Sequence, residues 1–228
     1  SREVRKMSKS FDDLLAKVSQ CSRKTVSVAV AQDAPILEAI KAAKEKEIAD
    51  AILVGDEAKI REIADQIGMD LTGYEIINEP DDIEASLKAV KLVHDHKADM
   101  YMKGLLSTKD FLKSVLNKEV GLRNGKPLSH VCVFEIPGID RLLYLTDVAF
   151  MTYPSLEEKK SIIENSVEVA HACGIPCPKV APLAAVEVVN PKMPVTVEAA
   201  ELTKMNENGE ITGCIVDGPL SMDLAIEP

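Results

Sequence analysis

From Thr25 onward, short and almost unbroken apolar runs alternate with amphipathic stretches of helical period, and this alternation narrows the possible folds sharply. Thr25 to Ala31 reads Thr-Val-Ser-Val-Ala-Val-Ala, and Ala51 to Gly55 is a second such run that ends in glycine. Tyr74 to Asn78 and Ala98 to Met102 follow in the same manner. Between them, Asp33 predicts the cap of a helix that buries Ile36, Leu37 and Ile40, and Asp56 opens one carrying Ile60, Ile63, Ala64 and Ile67. A further helix over Asp81 to His96 turns Ile83, Leu87, Val90 and Val93 inward, and an amphipathic helix from about Phe11 to Cys21 precedes the first strand. Strands without polar alternation have both faces covered, which predicts a parallel sheet with helices on either side. In such sheets ligands sit beyond the carboxyl ends of the strands, where Gly55 and Lys103-Gly104 fall.

The pattern changes after the turn-rich stretch Gly121 to Ser129. Strand patterns over His130 to Ile136 and Arg141 to Thr146 flank Pro137-Gly138-Ile139-Asp140, a hairpin turn signal. A helix (Ser155 to Cys173), a strand (Lys179 to Val186), a helix (Val195 to Met205) and a strand (Thr212 to Asp217) come next. The expected organisation is therefore two α/β domains. Residues 1–125 form the first, with an anion-binding helix start, and residues 126–228 form the second, with a mixed sheet.

Composition removes some function classes. A net charge of -10 over 228 residues disfavours nucleic acid and anionic membrane as partners, yet a few local lysines can still hold a phosphorylated ligand. The five cysteines, an odd number, point to reduced thiols. Cys173 and Cys177 are separated by three residues and lack a second Cys/His pair, so no metal site is expected. No apolar run approaches the roughly 18 residues that span a bilayer, and Ser1 to Lys6 lacks a signal-peptide core. Met7 reads as a natural start, and the expected location is the cytoplasm.

The segment Lys103 to Lys113, Lys-Gly-Leu-Leu-Ser-Thr-Lys-Asp-Phe-Leu-Lys, holds the clearest chemistry. A strand runs into Lys103-Gly104, turns, and opens a helix whose first turn offers the Ser107 and Thr108 hydroxyls and unpaired backbone N–H groups. Lys103, Lys109 and Lys113 add full positive charge to that of the helix dipole, which suits a phosphate. The same residues also read as an ordinary N-cap with solvated lysines. Asp147, which ends a strand, serves either to orient a ligand hydroxyl or amide or to cap a turn. Asn190, Lys192 and Met193 lie in a polar loop between two prolines, where Lys192 faces an anion or water and Met193 lines an apolar surface. In Val216-Asp217-Gly218-Pro219, Gly218 permits close backbone approach, while Asp217 and Asp223 serve as polar site groups or as turn and cap residues. No nucleophile elbow, metal-binding helix, P-loop or dinucleotide glycine fingerprint is present.

Taken in order, several runs resemble the phosphate acetyl/butyryltransferase family, and within it the butyryl-transferring branch. They are Met-Lys-Gly-Leu-Leu-Ser-Thr-Lys-Asp-Phe-Leu-Lys at 102–113, Lys-Glu-Val-Gly-Leu-Arg at 118–123 and Leu-Ser-His-Val at 128–131. Leu-Thr-Asp-Val-Ala at 145–149, Val-Val-Asn-Pro-Lys-Met-Pro at 188–194 and Val-Asp-Gly-Pro-Leu at 216–220 complete the set. The resemblance implies reversible transfer of a short or branched acyl group: butyryl-CoA and phosphate give butyryl phosphate and free CoA. It implies a two-domain fold like that of isopropylmalate dehydrogenase, with mostly parallel sheets, an interdomain cleft and a homodimer or larger. Coenzyme A is then substrate and product, with no tightly bound cofactor and no metal.

By position in the motif, Lys103, Gly104, Ser107, Thr108 and Lys113 correspond to the phosphate site, with Lys113 where acetyl relatives tend to carry Arg. Asp147, Asn190, Lys192, Met193, Asp217, Gly218 and Asp223 correspond to the substrate cleft, Asp147 as architecture. The family pattern continues past the Asp-Gly-Pro turn, and its Ser-Arg pair and Asp assisting the CoA thiol fall beyond Pro228, so the catalytic residues stay unassigned. Acetyl transfer, binding of CoA or acyl phosphate without turnover, and a metal- and NAD-dependent decarboxylating dehydrogenase of similar fold are the competing readings.

Overall fold

A computed structural model describes residues 7–227; residues 1–6, which carry the reading about a signal core, and Pro228 lie outside the described residues. Residues 15–125 form one compact unit, and residues 126–227, joined by residues 7–14, form the other. The opening helix α1 (Phe11–Val18) starts in the later unit. There the Phe11 N–H donates to Glu135 Oε2 at 3.1 Å, and the Ser8 N–H donates to the Cys173 carbonyl at 3.1 Å.

The earlier unit is built on strands β1 (Lys24–Ala29), β2 (Ala49–Gly55), β3 (Glu75–Asn78) and β4 (Met100–Lys103), interleaved with helices α2 (Ala34–Glu45), α3 (Glu57–Gln66) and α4 (Asp82–His94) and followed by α5 (Thr108–Val115). All the strand pairs are parallel and the order is β3-β2-β1-β4. Side chains of one strand go alternately to opposite faces. Val28 and Leu53 pack with Leu37, Ile40, Ile60 and Ala64 of α2 and α3, whereas Ala29, Ile52 and Val54 pack with Ala85 and Ala89 of α4. Burying each large aliphatic side chain contributes about 1.5–3 kcal/mol, which explains why both faces of these strands are apolar.

Two helical expectations change. Ile83 is 46% exposed; α4 buries Val90 as expected, together with Ala85, Ser86 and Ala89. Small side chains let α4 lie close enough to the sheet for the buried Ser27 hydroxyl of β1 to donate to the Ala89 carbonyl at 2.7 Å. Asp33 stands at the N-cap of α2 without a side-chain cap bond. Pro35 fills the second helical position, removing one of the N–H groups a cap would accept from. Asp56 and Asp81, by contrast, do cap, accepting from the Lys59 and Glu84 amides.

In the later unit, β5 (Val131–Glu135) and β6 (Leu142–Thr146) form the expected antiparallel hairpin. Helix α6 (Leu156–Ala172) opens on a Ser155–Glu158 capping box. The strand expected over Lys179 to Val186 shrinks to β7 (Lys179–Val180), which pairs in parallel with β8 (Ile215–Val216). Pro182 lacks the N–H a continuing ladder needs, and only an isolated Leu183–Leu220 bridge follows. The hairpin and the parallel pair are separate two-stranded sheets, not one mixed sheet. Helices α7 (Pro194–Glu207) and α8 (Met222–Ile226) complete the unit. The Thr146–Asp147 and Gly218–Pro219 peptide bonds are cis. Among the described residues no helix is long and apolar enough to cross a membrane.

Candidate functional site

The strand order of the four-stranded sheet reverses between β1 and β4, the point where open α/β sheets bind ligands at their carboxyl end. Here the chain leaving β4 crosses directly over the end of β1. The Gly104 N–H donates to the Ala29 carbonyl and the Leu105 N–H to the Val30 carbonyl, each at 2.8 Å. A Cβ on Gly104 would drive into both carbonyl oxygens, so the glycine is required by contact. Beneath it Val30, 1% exposed, has φ 60, a left-handed backbone that a β-branched residue adopts only when its surroundings impose it. Gln32 completes this rim: its Oε1 accepts the Asp56 N–H at 3.2 Å, and Gly55 leaves the space that Gln32 fills. Sequence reasoning did not single out Val30 or Gln32; the paired glycines, Gly55 and Gly104, were their only trace.

Helix α5 starts at this rim. Ser107 is its N-cap: Ser107 Oγ accepts the Asp110 N–H at 3.1 Å and donates to Asp110 Oδ2 at 2.8 Å. The N–H groups of Thr108 and Lys109 donate to no other group among the described residues, and Thr108 is exposed. Lys103 is half-buried with Nζ 3.5 Å from the Gly104 carbonyl, and Lys113 lies 3.8 Å from Asp110 Oδ1. The start of α5 therefore offers free amides, a free hydroxyl and several ammonium groups, together with one carboxylate. The helix is fixed to β4 by Phe111, which stacks on Tyr101 with ring centroids 4.6 Å apart, and by Ser114 Oγ, 2.7 Å from the Tyr101 hydroxyl. Ser114 is buried, whereas Leu116, just past the helix, is 46% exposed.

In the later unit, most of the expected cleft residues are engaged in holding loops. Asp147 is half-buried, and its carboxylate accepts the His130 N–H and the Met151 N–H, each at 2.8 Å. It acts as architecture, pinning the base of the hairpin. Asn190 Oδ1 accepts the Lys192 N–H at 3.0 Å, and the Asn190 carbonyl accepts the Met193 N–H at 2.8 Å. The fully buried Thr196 of α7 locks this turn through its hydroxyl, leaving Lys192 exposed and Met193 half-buried. The Gly218 N–H donates to Thr203 Oγ1, also on α7, at 3.1 Å, and a Cβ at Gly218 would come within 2.9 Å of Pro182. Asp217 and Asp223 are exposed, with the Asp223 carboxyl held below its usual range first by its hydrogen bond with Ser221. Asn190, Met193 and Gly218 thus share α7 as a frame, and no hydrogen bond among the described residues links Asp147 to them.

Two open concavities lie elsewhere in the earlier unit. One of about 580 Å³ is lined by Arg61, Asp65, Met69 and Tyr74, and one of about 470 Å³ by Val93, His94, Asp99 and Arg123. Neither contains a residue expected at the site. Among the described residues no group of three or more His, Cys, Asp or Glu side chains is placed to hold a metal, and the five cysteines are free.

Comparison with known proteins follows the whole chain. The phosphate acetyl/butaryl transferase family model matches residues 10–86 and 79–228. Phosphate butyryltransferase of Clostridium acetobutylicum is 61% identical over 220 residues, covering 96% of this chain and 73% of the relative. The Clostridium beijerinckii phosphate butyryltransferase is 58% identical over the same shares. Among solved structures, a branched-chain phosphotransacylase from Enterococcus faecalis V583 superposes with a TM-score of 0.74 at 33% identity, over 89% of this chain and 70% of that one.

Proposed function

This chain belongs to the phosphate acetyl/butaryl transferase family, and from that premise we propose that it transfers a butyryl or similar short or branched acyl group between coenzyme A and inorganic phosphate. The observation that carries the reading is the 61% identity to a phosphate butyryltransferase across 96% of the chain. The switch-point geometry supports it from the physical side, because the reaction handles anions at both ends.

Phosphate is proposed to sit at the start of α5, accepting from the Thr108 and Lys109 amides and the Thr108 hydroxyl, with Lys103 and Lys113 supplying charge. Helix-start amides are fixed in direction before the ligand arrives, so they hold an oxyanion without reorganising. The Asp110 carboxylate opposes a phosphate dianion here. Binding is therefore proposed to turn Asp110 toward Lys113, already 3.8 Å away, freeing the Ser107 hydroxyl for the ligand.

Lys192, exposed at the start of α7, and the neighbouring Met193 are proposed to meet the acyl-CoA, with Asp217 and Asp223 as further polar groups. Asn190 and Gly218 hold the loops around them, and Asp147 pins the base of the β5–β6 hairpin. Coenzyme A enters as substrate and product. Residues 103–113 are given binding and orientation alone. The resemblance also carries the proposal of a homodimer or larger, which sedimentation reads directly.

The test is release of free thiol from butyryl-CoA with and without phosphate, alongside acetyl-CoA. Phosphate-dependent release favouring butyryl-CoA supports the reading. Release without phosphate marks a hydrolase, and binding of CoA with no release marks a carrier.

A further inference from the structure

Beside Asp147, at the base of the β5–β6 hairpin, a thiol and an imidazole meet in a defined orientation that the proposed transfer does not use. Cys132 Sγ lies 3.3 Å from His130 Nε2, and His130 Nδ1 lies 3.1 Å from the Val148 carbonyl oxygen. A carbonyl only accepts, so Nδ1 of the neutral ring carries the proton and Nε2 presents a lone pair to the Cys132 S–H. The backbone of His130 is held at both ends: its N–H by Asp147 Oδ1 at 2.8 Å, and its carbonyl by the Thr146 hydroxyl at 3.0 Å. Nucleophile and base, and base and the group that orients it, are thus each within hydrogen-bond reach.

The surroundings suit an acyl chain. Cys132 is half-buried and stands directly across from Leu145, on the strand face it shares with Phe134. Leu145 is 38% and Phe134 42% exposed, so an apolar surface borders the thiol. The other cysteines lack this arrangement. Cys21 and Cys177 are exposed and Cys173 and Cys214 are buried, and none has a hydrogen bond to an imidazole nitrogen among the described residues.

We propose that Cys132, with His130 as its base, is a self-acylation site that accepts the acyl group of an acyl phosphate as a thioester. The Cys132 sulfur attacks the acyl carbon while its proton passes to His130 Nε2. The bond from the acyl carbon to the phosphate oxygen breaks, and the departing phosphate takes the proton from His130. The products are S-acyl Cys132 and hydrogen phosphate, with no oxidant or further reactant. The source of acyl phosphate in this proposal rests on the transfer proposed above.

The experiment supplies synthetic butyryl phosphate to the purified protein and reads butyrylation of each cysteine by peptide mass spectrometry over time. Cys132 is expected to be acylated roughly a hundredfold faster than Cys21 and Cys177, the range a positioned base provides, with the adduct released by neutral hydroxylamine. His130→Asn and His130→Gln, checked for folding by circular dichroism, should bring Cys132 down to the rate of the two exposed cysteines. Equal rates at Cys132, Cys21 and Cys177, or an unchanged Cys132 rate in a folded His130 variant, would overturn the proposal. Because the acyl phosphate is added from outside, a failure to turn over butyryl-CoA would sink the proposed transfer and leave this result readable.

Discussion

Ser107 and Asp110 bind each other twice: the Ser107 hydroxyl accepts the Asp110 N–H at 3.1 Å and donates to the Asp110 carboxylate at 2.8 Å. This pair fixes where α5 begins, and it leaves the next two amides, those of Thr108 and Lys109, pointing out of the helix unpaired. Cap and proposed anion site are therefore compatible.

Replacing Ser107 and Thr108 together by alanine should raise the KM for phosphate several-fold. Helix α5 should survive, since losing a cap removes about 1 kcal/mol. An unchanged KM in a folded double variant would remove these residues from the phosphate site.

Asp110→Asn takes the negative charge away from the proposed ligand while preserving a side chain of the same shape. Phosphate should bind more tightly, and stability should drop by about 0.3–1 kcal/mol because a first-turn acid is lost. Weaker phosphate binding would mean that Asp110 helps to hold the ligand.

Gly104→Ala places a methyl against the Ala29 and Val30 carbonyl oxygens. Backbone must move to accept it, so urea unfolding should show a loss of about 1–3 kcal/mol, as overpacked sites do. A neutral substitution would contradict the close crossing of the chain after β4 over the end of β1.

The Tyr144 hydroxyl oxygen is buried without a hydrogen-bond partner among the described residues, and burial, then the neighbouring Cys173 thiol, push its pKa upward. Tyr101 is raised for the first of these reasons. A raised folded value favours the protonated form, so this stability is complete below the ordinary phenol value of about 10 and is lost as pH climbs through the folded values. Tyr144→Phe should be neutral or stabilising at neutral pH and should blunt the alkaline loss, as read by urea unfolding across pH. Destabilisation at neutral pH would reveal a Tyr144–Cys173 hydrogen bond that matters.

Much of this architecture was legible because one physical rule, burial on both faces, shaped β1, β2 and their helices together. The helix starts at Asp56, Asp81 and Ser155 were legible, and local hydrogen bonding makes each of these residues a cap. What periodicity missed depends on distance between elements. Ala85 and Ala89 displaced Ile83 because α4 lies close to the sheet, and Ser114 is buried because Tyr101 offers it a partner. The left-handed Val30 is imposed by packing and leaves no local signature. At the site, Lys103 to Lys113 stood out as a strand–glycine–helix junction. Asp147 was already legible as architecture, but its two amide partners, and the Cys132–His130 pair, are visible only with the hairpin in place.

The most direct test of the account is the phosphate dependence of thiol release from butyryl-CoA. Free CoA should appear only when inorganic phosphate is present, in step with butyryl phosphate, and the reverse reaction should consume CoA at the expense of butyryl phosphate. Thiol release at the same rate without phosphate, with butyrate as the product, would contradict acyl transfer between CoA and phosphate.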